Sequence, residues 1–162
     1  MKKLYIIRHA KSSWKDLELD DFDRPLNKRG KLNAPFMGKK LKKKRVHPDI
    51  VIASPALRSR LTAEVIAKKV KYFKDIVYDE ELYESSATML CEALVKIEDK
   101  NNIAFLVGHS TGINLFVENY IDFQDNIPTC GVVEIEFNCK SWKDISEQNA
   151  KLISFDYPKK EL

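Results

Sequence analysis

Residues 4–9 have the sequence Leu-Tyr-Ile-Ile-Arg-His, an apolar run that ends abruptly in a cation and an imidazole. β-Branched and aromatic residues in a run of this length predict a buried strand, which we place at 3–8. A buried strand rarely ends in Arg8 and His9 unless an anion binds there, because a desolvated cation needs a partner. This stretch therefore predicts a strand and a binding site at its carboxyl end.

Two further apolar runs end in residues of the same kind. Residues 50–53 (Ile-Val-Ile-Ala) lead to Ser54 and Arg58, and residues 103–107 lead to His109. The carboxyl ends of parallel strands share one edge of a sheet, and open α/β sheets bind ligands at that edge. If the three strands are parallel, two Arg and two His side chains converge on a dianion, for which a phosphoryl group is the strongest candidate.

The composition is that of a soluble globular protein. The chain has 162 residues, of which 44% are hydrophobic and 32% charged, so we expect one domain over 1–162. No apolar run approaches the ~20 residues that span a bilayer, and the stretch behind Met1 is too short for a signal peptide. Cys91, Cys130 and Cys139 lack metal-ligand spacing, so we expect a reduced, cytoplasmic protein.

A basic run at 39–45 (Lys-Lys-Leu-Lys-Lys-Lys-Arg) contributes much of the net charge of +4. Such a run could attract nucleic acid, a membrane surface or an acidic protein face. It lacks interleaved aromatic residues and lies where a helix should end, before His47-Pro48. We therefore favour a solvated helix end whose cations complement the helix dipole, and expect no nucleic-acid or membrane partner.

Strands and helices alternate along the chain. The predicted strands are 3–8, 50–53, 76–79, 103–107, 132–137 and 152–155. The predicted helices are 31–43, 56–70, 87–98 and 113–121. Alternation of this kind indicates parallel βαβ units, whereas the last two strands follow one another directly. The expected fold is a three-layer α/β/α sandwich with a mostly parallel sheet and an antiparallel carboxyl-terminal edge.

Two of the predicted helices have features that the structure can test. Leu32, Phe36 and Leu41 lie on the expected inner face of the first helix. Ser54 is the expected N-cap of the second helix, because Pro55 suits the first helical position.

Four short motifs occur in an order that a known family shares. They are Arg-His-Ala at 8–10, Leu-Asn-Lys-Arg-Gly at 26–30, Ser-Pro-Ala-Leu-Arg at 54–58 and Gly-His-Ser-Thr-Gly at 108–112. Together they resemble the signatures of the histidine phosphatase (phosphoglycerate-mutase-like) superfamily. The chain's small size and its opening at 8–14 are most similar to the compact bacterial phosphohistidine phosphatases.

The resemblance implies a set of site residues and a substrate. The catalytic residues would be His9, Arg8, Arg58, His109 and Glu84, and the substrate would be bound by Arg8, Ser12, Arg58 and Ser110. No metal or cofactor is implied, and the substrate would be a protein that carries phosphohistidine. Glu84 stands where larger members carry a proton donor for an alkoxide, but it could equally be a solvated loop acid.

Two residues depart from the family pattern. Ala10 replaces the usual Gly, which would strain the backbone if this position required a positive φ. Lys15 stands where larger members often carry an Asn that contacts substrate.

The chemistry of these residue types supports the same interpretation. A neutral imidazole attacks phosphorus and later leaves it, so a covalent step at His9 divides hydrolysis into two easier steps. Phosphoryl transfer depends on positioning and on stabilising charge, and the planar guanidinium groups of Arg8 and Arg58 bind two oxygens at once. We therefore expect a metal-independent hydrolase of phosphoric monoesters or phosphoramidates. Arg24 is expected to pair with Asp21 or Asp23 rather than with substrate.

Other functions were weighed against this one. Residues 108–112 also fit the nucleophile elbow of serine hydrolases, with Ser110 as nucleophile, but no histidine follows Ser110 in the chain as that fold requires. A non-catalytic phosphate-binding module would not need His9. A phosphatase of small phosphate esters is the main alternative, whereas a mutase would need a lid for which this chain has little length. The sequence does not establish the oligomeric state.

Overall fold

The computed structural model describes residues 1–159 as one sheet between two layers of helices. The strands are β1 (Lys2–Arg8), β2 (Ile50–Ala53), β3 (Val77–Tyr78), β4 (Ile103–Gly108), β5 (Val132–Phe137) and β6 (Ala150–Asp156). The α-helices are α1 (Lys28–Lys43), α2 (Leu57–Lys69), α3 (Ala87–Val95) and α4 (Gly112–Tyr120). Short 3₁₀ helices occupy Asp21–Asp23, Glu80–Leu82 and Trp142–Asp144.

The sheet has the strand order β3-β2-β4-β1-β5-β6. The first four strands in this order are parallel, and β5 and β6 are antiparallel, so the predicted sheet with an antiparallel edge is confirmed. Strand β4 lies between β1 and β2, and its register pairs Arg8 with Gly108 and Ala53 with Val107. The carboxyl ends of these three strands are therefore level and adjacent.

Both faces of the sheet are covered, as the three-layer prediction requires. Alternate residues of β1 point to opposite faces because side chains alternate along a strand. Leu4 and Ile6 belong to the core under α3 and α4, whereas Tyr5 and Ile7 belong to the core under α1 and α2. Burial on both faces holds β1 rigidly and fixes the position of the residues that follow it.

Helix α1 differs from its prediction in its start and its buried face. It begins at Lys28 rather than 31, because the Asn27 side chain accepts a hydrogen bond from the Gly30 N–H at 2.9 Å and caps the helix. Leu32 and Phe36 are 66% and 40% exposed, so their predicted place on the inner face is wrong. The residues that α1 buries are Gly30, Ala34, Met37, Gly38 and Leu41.

Small residues explain this difference. A Cβ atom at Gly38 would lie 2.8 Å from the Cβ of Lys69, so only glycine allows α1 and α2 to approach as they do. Close contact between the helices turns the face with small residues inward and the face with Leu32 outward. Pro35 lies inside α1, where its missing N–H removes one helical hydrogen bond.

The remaining boundaries agree with the predictions to within a few residues. Helix α2 has Ala56 as its N-cap, without a side-chain cap, so the predicted capping role of Ser54 is wrong. Helix α3 ends at Val95, earlier than the predicted 98. The three cysteines are free thiols. Within residues 1–159, no helix is both long and apolar enough to cross a bilayer.

Candidate active site

The level strand ends bring two histidines together. His9 follows β1 and His109 follows β4, and their ring centroids are 5.1 Å apart. Both rings are buried. Arg8 is the last residue of β1, and Arg58 lies in the first turn of α2, directly after β2. The four residues that the sequence places at one sheet edge are therefore neighbours in the structure.

The ring of His9 is held in one orientation. Its Nδ1 lies 2.8 Å from the carbonyl oxygen of Ala10, which can only accept, so Nδ1 carries the proton and donates. The lone pair on Nε2 is therefore available. The Ala10 N–H donates to the Thr62 hydroxyl at 2.9 Å, and that hydroxyl donates to the Arg58 carbonyl at 2.7 Å. Thr62 thus ties the end of β1 to the first turn of α2.

Burial and neighbouring cations keep both rings neutral. Burial, together with the charges of Arg58 and Arg8, lowers the pKa of His9 to about 4. Burial, the neighbouring His9 and the charge of Arg58 lower the pKa of His109 to about 3. At neutral pH, His9 is therefore an uncharged imidazole with a free lone pair, as a nucleophile must be.

Ser54 orients His109 rather than capping α2. The Ser54 hydroxyl lies 2.8 Å from Nε2 of His109 and also accepts the Ala56 N–H at 3.3 Å. The ring of Tyr83 packs edge-on against His109, with centroids 5.6 Å apart. These contacts hold His109 with its Nδ1 directed away from Ser54.

Three buried nitrogens of the site have no hydrogen-bond partner in the described structure: Arg8 Nε, Arg58 Nε and His109 Nδ1. Each such atom costs about 1–3 kcal/mol when it stays unpaired, so a native protein rarely keeps several of them together. All three belong to residues that surround His9. An oxyanion bound in front of His9 would supply acceptors to the arginine nitrogens and to a protonated His109 Nδ1.

Asp21 is a site residue that the sequence analysis did not place at the site. Its carboxylate accepts from Arg58 Nη2 at 3.0 Å and from the Tyr83 hydroxyl at 2.6 Å, and its carbonyl accepts from Arg58 Nη1 at 2.7 Å. Partial burial raises the pKa of Asp21, but the hydrogen bonds from Tyr83 and Arg58 outweigh it and lower the pKa to about 2. At neutral pH Asp21 is therefore an anion, and its carboxylate holds the guanidinium of Arg58 in place.

Arg24 pairs with Asp21, at 3.1 Å, as one of its two expected partners. The guanidinium of Arg24 also donates to the Ser12 hydroxyl at 2.7 Å and lies 3.5 Å from the ring centre of Trp14. Ser12, a predicted substrate contact, thus already accepts from Arg24. Its role toward a substrate stays a prediction.

Glu84 and Ser110 are both exposed at this edge of the sheet. Glu84 follows Tyr83 with a φ of 53°, in the left-handed region that non-glycine residues rarely adopt. No side chain among residues 1–159 forms a hydrogen bond with its carboxylate. No imidazole in this part of the chain contacts the Ser110 hydroxyl, since His109 contacts Ser54 instead. Ala10 has a negative φ, so alanine replaces glycine there without strain.

The arrangement combines a neutral nucleophile with fixed positive charge. Within residues 1–159, no group of three or more His, Cys, Asp or Glu side chains is placed to hold a metal ion. Burial lowers the pKa of Arg8, whose Nη1 donates to the Ile127 carbonyl at 3.0 Å. These groups can hold a tetrahedral dianion and attack its central atom from His9.

Comparisons with known proteins agree with this geometry. A family model described as histidine phosphatase superfamily (branch 1) matches residues 4–106. A structure described as the candidate phosphohistidine phosphatase SixA of Agrobacterium tumefaciens superposes with a TM-score of 0.83 and 26% identity, covering 97% of this chain and 98% of that one. The protein histidine phosphatase SixA in complex with tungstate gives a TM-score of 0.81 at 17% identity, over 96% of both chains, and shows the shared fold.

The first curated relatives match this chain over only part of their own length. An uncharacterized chloroplastic protein of Arabidopsis thaliana is 36% identical over 74 residues, which are 46% of this chain and 34% of that protein. The chain spans about a third of the length of the first curated relatives that it matches, from 26% to 39%.

Proposed function

Because the chain belongs to the histidine phosphatase superfamily, we propose that it is a metal-independent phosphatase that becomes phosphorylated on His9. The observation that carries the proposal is the set of three unpaired buried nitrogens, on Arg8, Arg58 and His109, around a neutral imidazole. Nitrogens of this kind suit the oxygens of a phosphoryl group.

The reaction proceeds in two steps. Nε2 of His9 attacks phosphorus, a bond from Nε2 to phosphorus forms, and the bond from phosphorus to the leaving group breaks. Positive charge develops on the His9 ring, and the Ala10 carbonyl stabilises it through the proton on Nδ1. Water then attacks phosphorus, the bond to Nε2 breaks and inorganic phosphate leaves. Arg8, Arg58 and His109 hold the phosphoryl oxygens throughout.

Phosphohistidine on a protein is the proposed substrate. The 26% identical structure of SixA supports it, because that protein is described as a candidate phosphohistidine phosphatase. The leaving group would be an imidazole, which departs as a neutral molecule when its other nitrogen is already protonated. Such a substrate does not need a strong acid in the site, and Glu84 is exposed and without a partner among the described residues. A cytoplasmic location is part of the same proposal.

A phosphatase of small phosphate esters is the second candidate. The left-handed φ of Glu84 favours it, because residues held in rare backbone conformations concentrate at functional sites. The carboxyl of Glu84 would then protonate an alkoxide leaving group, which typically accelerates such a step by ~10²–10⁴-fold.

The two candidates are separated by comparing kcat/KM for a histidine-phosphorylated protein and for a panel of small phosphate esters. We expect the wild type to prefer the phosphoprotein, and Glu84→Gln to leave that reaction unchanged. Glu81→Gln, which changes an exposed acid of the 3₁₀ helix just before Glu84, is the matched control. A wild type that prefers an ester, together with a loss of about a hundredfold in Glu84→Gln only, would establish the small-ester function instead.

A further inference from the structure

A groove of about 820 Å³ lies between the loop after β1 and the beginning of α1. Five of the residues that line it are cations: Lys11, Lys15, Lys28, Arg29 and Lys31. No acidic side chain of residues 1–159 lines it. The catalytic mechanism uses none of these five residues. We refer to this surface as the basic groove.

No carboxylate of the described residues neutralises the cations of the basic groove. All five are exposed, and none forms an ion pair with a carboxylate among residues 1–159. The other end of α1 is different, since Lys40 forms an ion pair with Asp156 at 2.9 Å. The positive charge of the groove is thus available to an external anion.

The groove also places positive charge where the fold does not favour it. Lys28, Arg29 and Lys31 lie in the first turn of α1, and this turn contains no acidic residue. The amino terminus of a helix already carries partial positive charge, so cations there weaken the helix. Proteins keep residues that lower the stability of the fold mainly where those residues serve a function, so cations at this end of α1 are expected if they bind a ligand.

The groove begins next to the catalytic nucleophile. Lys11 is two residues from His9 in the chain, so their Cα atoms are at most about 7 Å apart. The Lys11 carbonyl accepts the Asn27 N–H at 2.9 Å, and a Cβ atom on Gly30 would overlap that oxygen. This tight contact fixes the groove relative to the end of β1.

We propose that the basic groove binds an acidic segment of the phosphorylated protein whose phosphohistidine enters the site. This inference rests on the proposed function and names the chemistry of its substrate. A small substrate would contact only the residues around His9, whereas a protein can reach these residues and the groove together. A nucleic acid fits less well, because Asp16, Glu18 and Asp20 lie within five residues after Lys15 and would repel a phosphate backbone long enough to continue past the groove.

The test compares two charge reversals at opposite ends of one helix. Lys28→Glu/Lys31→Glu reverses the groove, and Lys42→Glu/Lys43→Glu, in the last turn of α1, makes the same change in net charge elsewhere. The substrates are a phosphohistidine peptide extended by a run of Glu, the same peptide extended by Gln, and a small phosphoramidate. All three proteins should hydrolyse the phosphoramidate equally, which also shows that each variant is folded.

We expect the wild type to prefer the Glu peptide by about tenfold in kcat/KM, mainly through KM, and to lose this preference as salt is added. The groove variant should lack the preference, and the control variant should keep it. If the groove variant is poorly folded, Lys28→Gln/Lys31→Gln should show the same loss more weakly.

The outcomes separate the inference from the proposed function. If the wild type hydrolyses both peptides equally well, the inference is wrong and the phosphohistidine phosphatase function stands. If it hydrolyses neither peptide, the proposed substrate is wrong and the inference fails with it. If a single-stranded oligonucleotide inhibits peptide turnover more strongly than polyglutamate of equal charge, the groove binds nucleic acid and the inference is also overturned.

Discussion

The candidate site around His9 and the basic groove begin two residues apart in the chain, yet they hold their cations in opposite ways. Arg58 is buried and Arg8 is partly buried, and each donates to fixed oxygens, Arg8 at 3.0 Å to Ile127 and Arg58 at 2.7–3.0 Å to Asp21. Lys28 and Lys31 are exposed, without a carboxylate partner among the described residues.

This difference separates two uses of positive charge. Buried guanidinium groups in fixed positions stabilise charge that develops during the reaction, because they need no reorganisation and little water screens them. Exposed ammonium groups attract an anion from a distance, and added salt weakens this attraction because it screens the charges. Substitutions of Arg8 and Arg58 should therefore lower kcat, whereas substitutions in the groove should raise KM.

The largest effect should come from His9. We expect His9→Ala to lose several orders of magnitude in kcat with the fold retained, because the groups around the nucleophile act as a unit. The wild type, quenched rapidly with substrate, should carry acid-labile and alkali-stable phosphate on His9. Ser110→Ala should keep most of the activity. Normal turnover by His9→Ala, or labelling of Ser110 by a phosphonate reagent with loss of activity, would contradict the mechanism.

The next largest loss of activity should come from Arg58, the arginine that Asp21 holds in place. Arg58→Ala should lose about 10²–10³-fold in kcat, the scale for removing one donor to the transition state. Asp21→Asn should show a smaller loss, again in kcat, because the amide cannot hold Arg58 as an anion does. Asp23→Asn, an exposed acid of the same 3₁₀ helix, is the control. A change confined to KM in Asp21→Asn would show that Asp21 does not position Arg58.

The sequence was sufficient to predict that His9, Arg58 and His109 lie together, because each stands just after the end of a strand or in the first turn of a helix. It was not sufficient to find Asp21, which lies in an irregular loop between β1 and α1. Hydrophobic periodicity says nothing about where such a loop folds. The role of Ser54 was missed for a different reason: a serine before a helix is usually a cap, and only the tertiary structure shows that His109 is its partner.

The next effect in size is a pH dependence of the free energy of unfolding, which the two buried histidines cause. The unfolded chain binds protons at His9 and His109 near pH 6.5, whereas the folded pKa values are about 4 and 3. Between pH 6.5 and pH 4 the unfolded state holds more protons, so stability decreases as pH falls. Each histidine should contribute at most about 1.4 kcal/mol per pH unit.

Chemical denaturation across this range measures the dependence, and His109→Gln should reduce its slope. The contribution of Asp21 to the pH dependence lies mostly below this window, because the pKa of its carboxyl falls from 3.8 in the unfolded chain to about 2 in the folded protein. A slope that does not change in the variant would mean that His109 is not held neutral by burial.

The fold was predicted more completely than the site, but α1 shows where the prediction failed. Leu32 and Phe36 are large and apolar, so helical spacing placed them inside. The structure instead buries Gly38 and its small neighbours because helix α2 approaches closely there. Hydrophobic periodicity predicts which face of a helix buries large apolar side chains. It does not predict a close helix contact that glycine permits because it has no side chain. With Leu32 turned outward, the start of α1 is left facing solvent with Lys28 and Lys31, as the basic groove.

The smallest effect tests whether that groove is maintained against stability. Lys28→Glu/Lys31→Glu places negative charge at the positive end of the α1 dipole and should raise the free energy of unfolding by a few tenths of a kcal/mol per residue. Lys42→Glu/Lys43→Glu should lower it by a similar amount, since both residues lie in the last turn. Denaturant unfolding at low and high salt measures both changes, which salt should reduce. A groove variant that is more stable than the wild type, yet slower on an acidic phosphohistidine peptide, would show that the cations serve binding rather than folding. A groove variant that is less stable would mean that Lys28 and Lys31 support the fold through contacts of their own, and the comparison between fixed and exposed cations would then fail at this helix.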